Sequence, residues 1–374
     1  MNVGIVWIKF FSADGKERIV GGVETYIENL CYLCMDLGHT PIIYQTANEC
    51  WEKDYNGIKV IGIKCNTVNV LYNKALKDID ISHDLLIFAS DFYSVNVRHV
   101  KGNIMSIQHG IWWDIPKCEH NKFISFGVRV RDVFNALRTY NHTRYRVCVD
   151  YNVYNWFKTM LPFRIPQNIK IIPNFTQEII SDKELDEKMK RLSSGKIKMI
   201  FARRFFKYRG ALLFANVMKR VLERHPELKL TIAGEGVLEN EMKEILKDYD
   251  VIYTKYDPKD SYKIHYDNDI AVIPTIASEG TSLSLIEAMG AGCLVVATPV
   301  GGMSNVVIDE FNGLITMPDE ESLEKNIEKA ISLVKDINIR EEAVKSVRKS
   351  FSLDKWRREW AEVINKYANE TVWG

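Results

Sequence analysis

No stretch of this 374-residue chain approaches the roughly 18 apolar residues that a membrane-spanning helix requires. Its opening, Met1-Asn2-Val3-Gly4-Ile5-Val6, enters a strand pattern with no basic leader or cleavage site, so a cytoplasmic protein is expected. An excess of one charge is missing too. The formal net charge is +1, which gives a nucleic acid nothing to bind at the level of the whole chain. The seven cysteines are scattered and build no paired metal knuckle, and Cys118 and His120 are too isolated to argue for zinc. Cys31-x-x-Cys34 lies inside the helical pattern Val23, Ile27, Leu30, Cys34, Leu37 and is read as core rather than as a redox pair. No G-x-G-x-x-G follows the first strand, which removes the dinucleotide fingerprint.

What is present fits a globular α/β protein. Hydrophobic residues make up 46% and charged residues 26%, and the length suits two domains better than one. In the first half, strands are expected at Val3 to Ile8, Pro41 to Thr46, Leu85 to Ser90 and Ile104 to Gln108, with connections long enough for crossover helices. Gly21-Gly22 precedes a helix over Val23 to Leu37, ended by Gly38. The strand at Ile104 runs into His109, then Trp112, Trp113 and Asp114. The two tryptophans suit either a sugar-stacking platform or core packing. Pro173-Asn174 and the charged segment Ser181 to Gly195 mark a boundary, which gives domains over 1–175 and 176–352 and a final helix in 353–374.

The second half restarts with a strand Lys198 to Ala202, and a loop follows that holds four cations, Arg203, Arg204, Lys207 and Arg209, before Gly210. A helix Ala211 to Arg224, a strand Leu228 to Ala233, the turn Gly234-Glu235-Gly236 and a strand Val251 to Tyr256 come next. The unbroken apolar run Ile270 to Ile273 reads as a strand covered on both faces, which puts Glu279 in the loop at its carboxyl end, where open α/β sheets bind ligands. Thr281 is a candidate N-cap of a helix through Ala288, leaving the amides of Gly280, Thr281 and Ser282 to face an anion. Glu287 falls one turn after Leu283, on an inward face. A strand Leu294 to Thr298 and Gly301-Gly302 close the block, and amphipathic helices are expected at Ser322 to Leu333 and Leu353 to Tyr367.

This block resembles the donor-binding signature of retaining glycosyltransferases of family 4, the group 1 glycosyl transferases, with Glu279 and Glu287 as their E-x7-E pair. The resemblance implies the GT-B fold: two Rossmann-like β/α/β domains facing across a cleft, with a C-terminal helix crossing back to the first. It implies transfer of a sugar from a nucleotide-sugar to an acceptor hydroxyl with retained configuration, in surface polysaccharide or glycolipid assembly, with no metal or other cofactor. On the matching positions, His109 and Glu279 act on the sugar. Gly22, Arg204, Lys207, Arg209, Gly280, Thr281, Ser282 and Glu287 hold the donor. Trp112 and Trp113 stand near the acceptor. Arg209 replaces the family's lysine, which leaves Lys207 as a rival, and Arg203 stands where glycine is usual.

Two other readings stay open. D-x-D at Asp78/Asp80, Asp248/Asp250 and Asp267/Asp269 fits a metal-dependent transferase, and the paired glutamates fit a glycoside hydrolase. Residues 120–170 carry nine Lys or Arg against two acids, with Arg129, Arg131, Arg138, Arg144 and Arg146 interleaved by Phe123, Phe126, Phe134 and Tyr140. That segment is either a solvated helix face or a patch for anionic lipid or a pyrophosphate-linked acceptor.

Overall fold

The computed structural model describes residues 1–96, 102–114, 122–140, 143–161 and 168–370. Two compact units divide the chain. The first comprises Met1–Trp113, Lys117–Ile172 and Trp356–Gly374, and the second Asp114–Pro116 and Pro173–Lys355. Cys118 and His120 lie outside the described residues, as does the side chain of Phe123.

The first unit is built on β1 (Asn2–Val6), β2 (Thr40–Ala47), β3 (Trp51–Tyr55), β4 (Ile58–Lys64), β5 (Leu85–Phe88), β6 (Ile104–Gln108), β7 (Tyr145–Cys148) and β8 (Ile169–Ile171). Their order is β3-β4-β2-β1-β5-β6-β7-β8, with every pair parallel except β3 with β4. The β3–β4 hairpin was not anticipated, although its turn residues Asn56 and Gly57 both take positive φ, as a two-residue hairpin turn requires. Nor was β7. It lies in the basic segment, and Arg146 on it is buried, with its guanidinium over the Phe157 ring and Nη2 donating to Thr139 Oγ1 at 3.1 Å. Arg146 is therefore not a surface cation.

The helix Gly22–Asp36 buries Cys31 and Cys34 in the core, where burial pushes the Cys34 thiol up to about 12. The C-terminal helix Leu353–Glu370 begins in the second unit and continues in the first, where Trp356 and Trp360 close over Tyr26. Trp360 is fully buried and its Nε1 donates to the Tyr26 hydroxyl at 2.7 Å. An indole can be buried this deeply because its one donor is satisfied.

The second unit carries β9 (Lys198–Ala202), β10 (Lys229–Ala233), β11 (Val251–Thr254), β12 (Ile270–Ile273), β13 (Leu294–Ala297) and β14 (Leu314–Ile315), all parallel, in the order β11-β10-β9-β12-β13-β14. Every residue of β12 and β13 is buried, as strands sheltered on both faces demand. Strand order reverses at β9, and the chain leaves β9 and β12 at the same edge of adjacent strands. That is the topological switch point where such sheets bind ligands.

The charged segment after Pro173-Asn174 forms a helix, Asp182–Ser194, opened by a capping box in which Ser181 and Glu184 satisfy each other's backbone amides. Leu185 and Leu192 face inward, as does Lys188, whose Nζ donates to Ala291 O at 2.8 Å. The helix Ile337–Ser350 was not anticipated either. Among the described residues no helix is long and apolar enough to cross a membrane.

Truncation of a fully buried indole that also loses its hydrogen bond is expected to cost about 3–5 kcal/mol. Trp360→Ala should lower the urea midpoint of the first unit accordingly. An unchanged midpoint would show that the C-terminal helix contributes nothing to it.

Candidate functional site

The site is assembled from two loops that leave β9 and β12. Gly210 ends the first loop at φ +78, and a Cβ there would run into the carbonyl of Pro274, directly after β12. Glycine is needed because the loops touch through their backbones. Gly301 does the same on the other side, since a Cβ on it would meet the carbonyl of Glu279. The turn Gly234-Glu235-Gly236 is held by the chain itself: Arg203 N donates to Ala233 O at 3.0 Å and Phe205 N to Glu235 O at 2.8 Å.

At the centre lies Glu279. Its Oε2 takes Arg203 Nη2 at 2.5 Å, Arg209 Nη1, and Thr275 Oγ1 at 3.3 Å. The three charged side chains are no more than 15% exposed. Burial alone would raise the carboxyl, but Arg203 and Arg209 outweigh it and hold the pKa below the ordinary value, so Glu279 is a carboxylate at neutral pH. Arg209 Nη1 also reaches Ser278 O at 3.3 Å, and Arg203 Nη1 the Ser282 hydroxyl at 3.4 Å. Two guanidiniums on one carboxylate leave one positive charge in excess within this cluster.

The helix beside it runs Leu283–Gly290 with Ser282 as N-cap, one residue later than Thr281 was expected to cap it. The Ser282 side chain makes no cap hydrogen bond to its amides. Gly280, Thr281 and Ser282 are buried in the approach, and Asn174 Nδ2 fixes the loop by donating to Thr281 O at 2.6 Å. Glu287, on the same helix, accepts from the Ser261 hydroxyl at 2.8 Å. Burial pushes its carboxyl up to about 6, against the hydrogen bond from Ser261.

The cation loop differs from the expectation in detail. Arg209 joins Glu279, but Arg204 and Lys207 point outward and are exposed, Arg204 lying over the Phe206 ring. Arg203, passed over because the resembled family has glycine there, supplies the second guanidinium. Asn174 was read only as chain punctuation, and Ser261 was not singled out. No local signal marks either residue, since each acts on a partner about a hundred residues or more than twenty residues away.

In the first unit, His109 follows β6. Its Nε2 donates to Ala89 O at 2.9 Å, and its ring meets Tyr26 edge-on at 5.0 Å. Burial lowers its pKa to about 4, so at neutral pH it is uncharged, with Nδ1 left as an acceptor. Gly22 opens its helix as expected, but the Glu24 carboxylate, not an open cradle, lies over the preceding Gly21. Trp113 is buried against Trp156 at 4.6 Å, the core-packing alternative of the two; Trp112 packs edge-on against Phe92 at 4.9 Å.

Residues 182–350 match the family model described as glycosyl transferases group 1. That match takes in somewhat less than half of the chain. An uncharacterized glycosyltransferase of Methanocaldococcus jannaschii is 28% identical over 206 residues, which cover 52% of this chain and 50% of that protein. The chain thus spans about half the length of that curated relative. Among solved structures, sucrose-phosphate synthase from Thermosynechococcus elongatus superposes with a TM-score of 0.74 at 14% identity, covering 98% of both chains. Anabaena HepE in complex with UDP-glucose gives 0.68 at 15% identity over 98% of this chain and 100% of that one. The fold is GT-B: two parallel-sheet, Rossmann-like domains.

Removing one member of a buried ion cluster leaves its partners uncompensated, at about 3–5 kcal/mol. Glu279→Ala should therefore destabilise the second unit by about that amount, and inorganic pyrophosphate should raise the melting temperature of the variant more than that of the parent chain. Equal pyrophosphate responses would mean that the arginines are not available to an anion.

Proposed function

We propose that this chain is a retaining family 4 glycosyltransferase that moves a sugar from a nucleotide-sugar to an acceptor hydroxyl in the cytoplasm, without a metal, in surface polysaccharide or glycolipid assembly. The observation that carries this reading is the dry cluster of Arg203, Arg209 and Glu279 beside the amides at the start of the helix Leu283–Gly290, inside the residues that match the group 1 family model. Breaking the bond between the sugar and the diphosphate puts negative charge on the departing phosphate. Preorganised guanidiniums and helix amides stabilise that charge most where water is excluded.

In this reading Arg209, with Arg203 and the amides of Gly280, Thr281 and Ser282, takes the diphosphate. Arg204 and Lys207, on the outer side of the loop, complete the field around it. Glu279, once the arginines share their charge with the phosphates, accepts hydrogen bonds from the sugar hydroxyls, and Glu287 accepts those of the ribose. His109, neutral, offers Nδ1 to a sugar hydroxyl. The acceptor oxygen attacks the anomeric carbon on the face the phosphate leaves, the carbon–oxygen bond to phosphate breaks, and the acceptor proton passes to the leaving phosphate oxygen. No protein nucleophile and no added base is then needed.

Metal-independence is favoured by how the D-x-D pairs are used. Asp78 pairs with Lys74 at 2.6 Å, Asp250 with Lys229 at 2.5 Å and Asp267 with Lys263 at 2.8 Å. One observation favours the hydrolase reading: the carboxyls of Glu279 and Glu287 are shifted in opposite directions, as an acid and base pair would be. Release of sugar from a glycan with no nucleotide present would support it over transfer. Because Anabaena HepE is solved with UDP-glucose, UDP-sugars are the first donors to try.

Glu287 decides the donor test. Its ionised form is the hydrogen-bond acceptor, and with its carboxyl raised to about 6, donor affinity should fall as the pH drops below that value. The folding linkage has the opposite sign: stability contributed by the raised group is complete below the ordinary glutamate value and is lost as pH rises through about 6. Glu287→Ala should weaken donor binding about tenfold or more at neutral pH and flatten the acid limb, read by calorimetry. A parental affinity and pH profile in that variant would remove Glu287 from the site.

A further inference from the structure

The helix Lys122–Thr139 carries a surface that sugar transfer does not explain. Phe126 and Phe134 are 70% and 68% exposed, and Val130 between them is also exposed. At four-residue spacing the three form one ridge along the helix. A row of exposed aromatic and aliphatic side chains costs solubility unless something covers it. Its flanks are cationic, with Arg129 exposed on one side and Arg131 and Arg138 on the other. The one acid of the helix, Asp132, is turned inward, 2% exposed, and held by Arg131 at 3.1 Å. The exposed face of the helix, among the described side chains, therefore carries positive charge and no carboxylate. Beside the ridge, Arg131 also lines a groove of about 480 Å³ whose far wall includes Phe92 and Val95, and Phe92 is itself exposed.

We propose that this face of the first unit docks onto an anionic lipid bilayer, with the rings of Phe126 and Phe134 entering the head-group layer and the flanking arginines meeting lipid phosphates. Apolar insertion between cations is what an interfacial helix needs, and it discriminates against the other occupants. A second copy of this chain would set arginine against arginine across the ridge. A neutral lipid surface would offer the exposed arginines no net negative charge. The proposal is independent of the donor chemistry, and no residue placed in that chemistry is part of it.

Co-sedimentation of the full chain with vesicles tests it. The chain should pellet with phosphatidylcholine vesicles that contain phosphatidylglycerol, should stay in solution with phosphatidylcholine alone, and should be released by salt. Arg129→Gln with Arg138→Gln should lower the partition constant roughly thirtyfold, from the attraction each cation feels near an anionic surface. Phe126→Ser with Phe134→Ser should lower it at least tenfold while the thermal melt stays in place, because both rings already face solvent. The proposal is overturned if the parent chain ignores phosphatidylglycerol vesicles, or if either pair of substitutions leaves binding intact. It is also overturned if sedimentation equilibrium shows a dimer that the phenylalanine substitutions dissolve, with no vesicle binding.

Discussion

A single carboxylate shared by two guanidiniums organises the second unit. Arg203 comes from the end of β9, Arg209 from the end of the same loop, and Glu279 from the loop after β12, so the cluster ties together the two neighbouring strand ends at the switch point of the sheet. It is sheltered enough for charge to matter and open enough, at 6–15% exposure, for an anion to compete. Water would otherwise hydrate three charged groups separately; here they hydrate one another. The excess positive charge and the helix amides then point the same way.

The surrounding fold serves this cluster. Gly210 and Gly301 let the loops close on Pro274 and on Glu279 through backbone. Asn174, from the segment entering the unit, fixes the carbonyl of Thr281. The helix Leu283–Gly290 itself is anchored by buried Leu285, Ile286, Ala288 and Met289, while its remaining face presents Glu287 to Ser261. One short helix thereby supplies amides at its start and a second acid near its end. The two glutamates differ in environment, and so in pKa: cations hold one below the ordinary value, and burial pushes the other up to about 6.

Much of this was legible in the chain because it is local. Strands Ile104–Gln108 and Lys198–Ala202 and the helix Ala211–Arg224 fall where the apolar periodicity placed them, since each is a buried run between turn residues. The acidic pair and the basic loop could be named for the same reason. What stayed hidden depends on partners far away in sequence. Arg203 rather than Arg204 faces the acid: Arg203, the first residue after β9, is buried, and Arg204 is exposed. Arg146, one of six arginines in residues 120–170, is interior because β7 carries it under Phe157. Trp113 is covered by Trp156. The capping box at Ser181 was local and readable, but the density of charge after it masked the inward positions Leu185 and Leu192.

The claim on which the account rests is that these arginines hold a diphosphate. Calorimetric titration with uridine diphosphate and with uridine, on the parent chain and on Arg209→Ala, tests it most directly. The account predicts that the diphosphate loses at least tenfold in affinity in the variant while the nucleoside binds both proteins alike. Equal diphosphate affinities for the two proteins would contradict it.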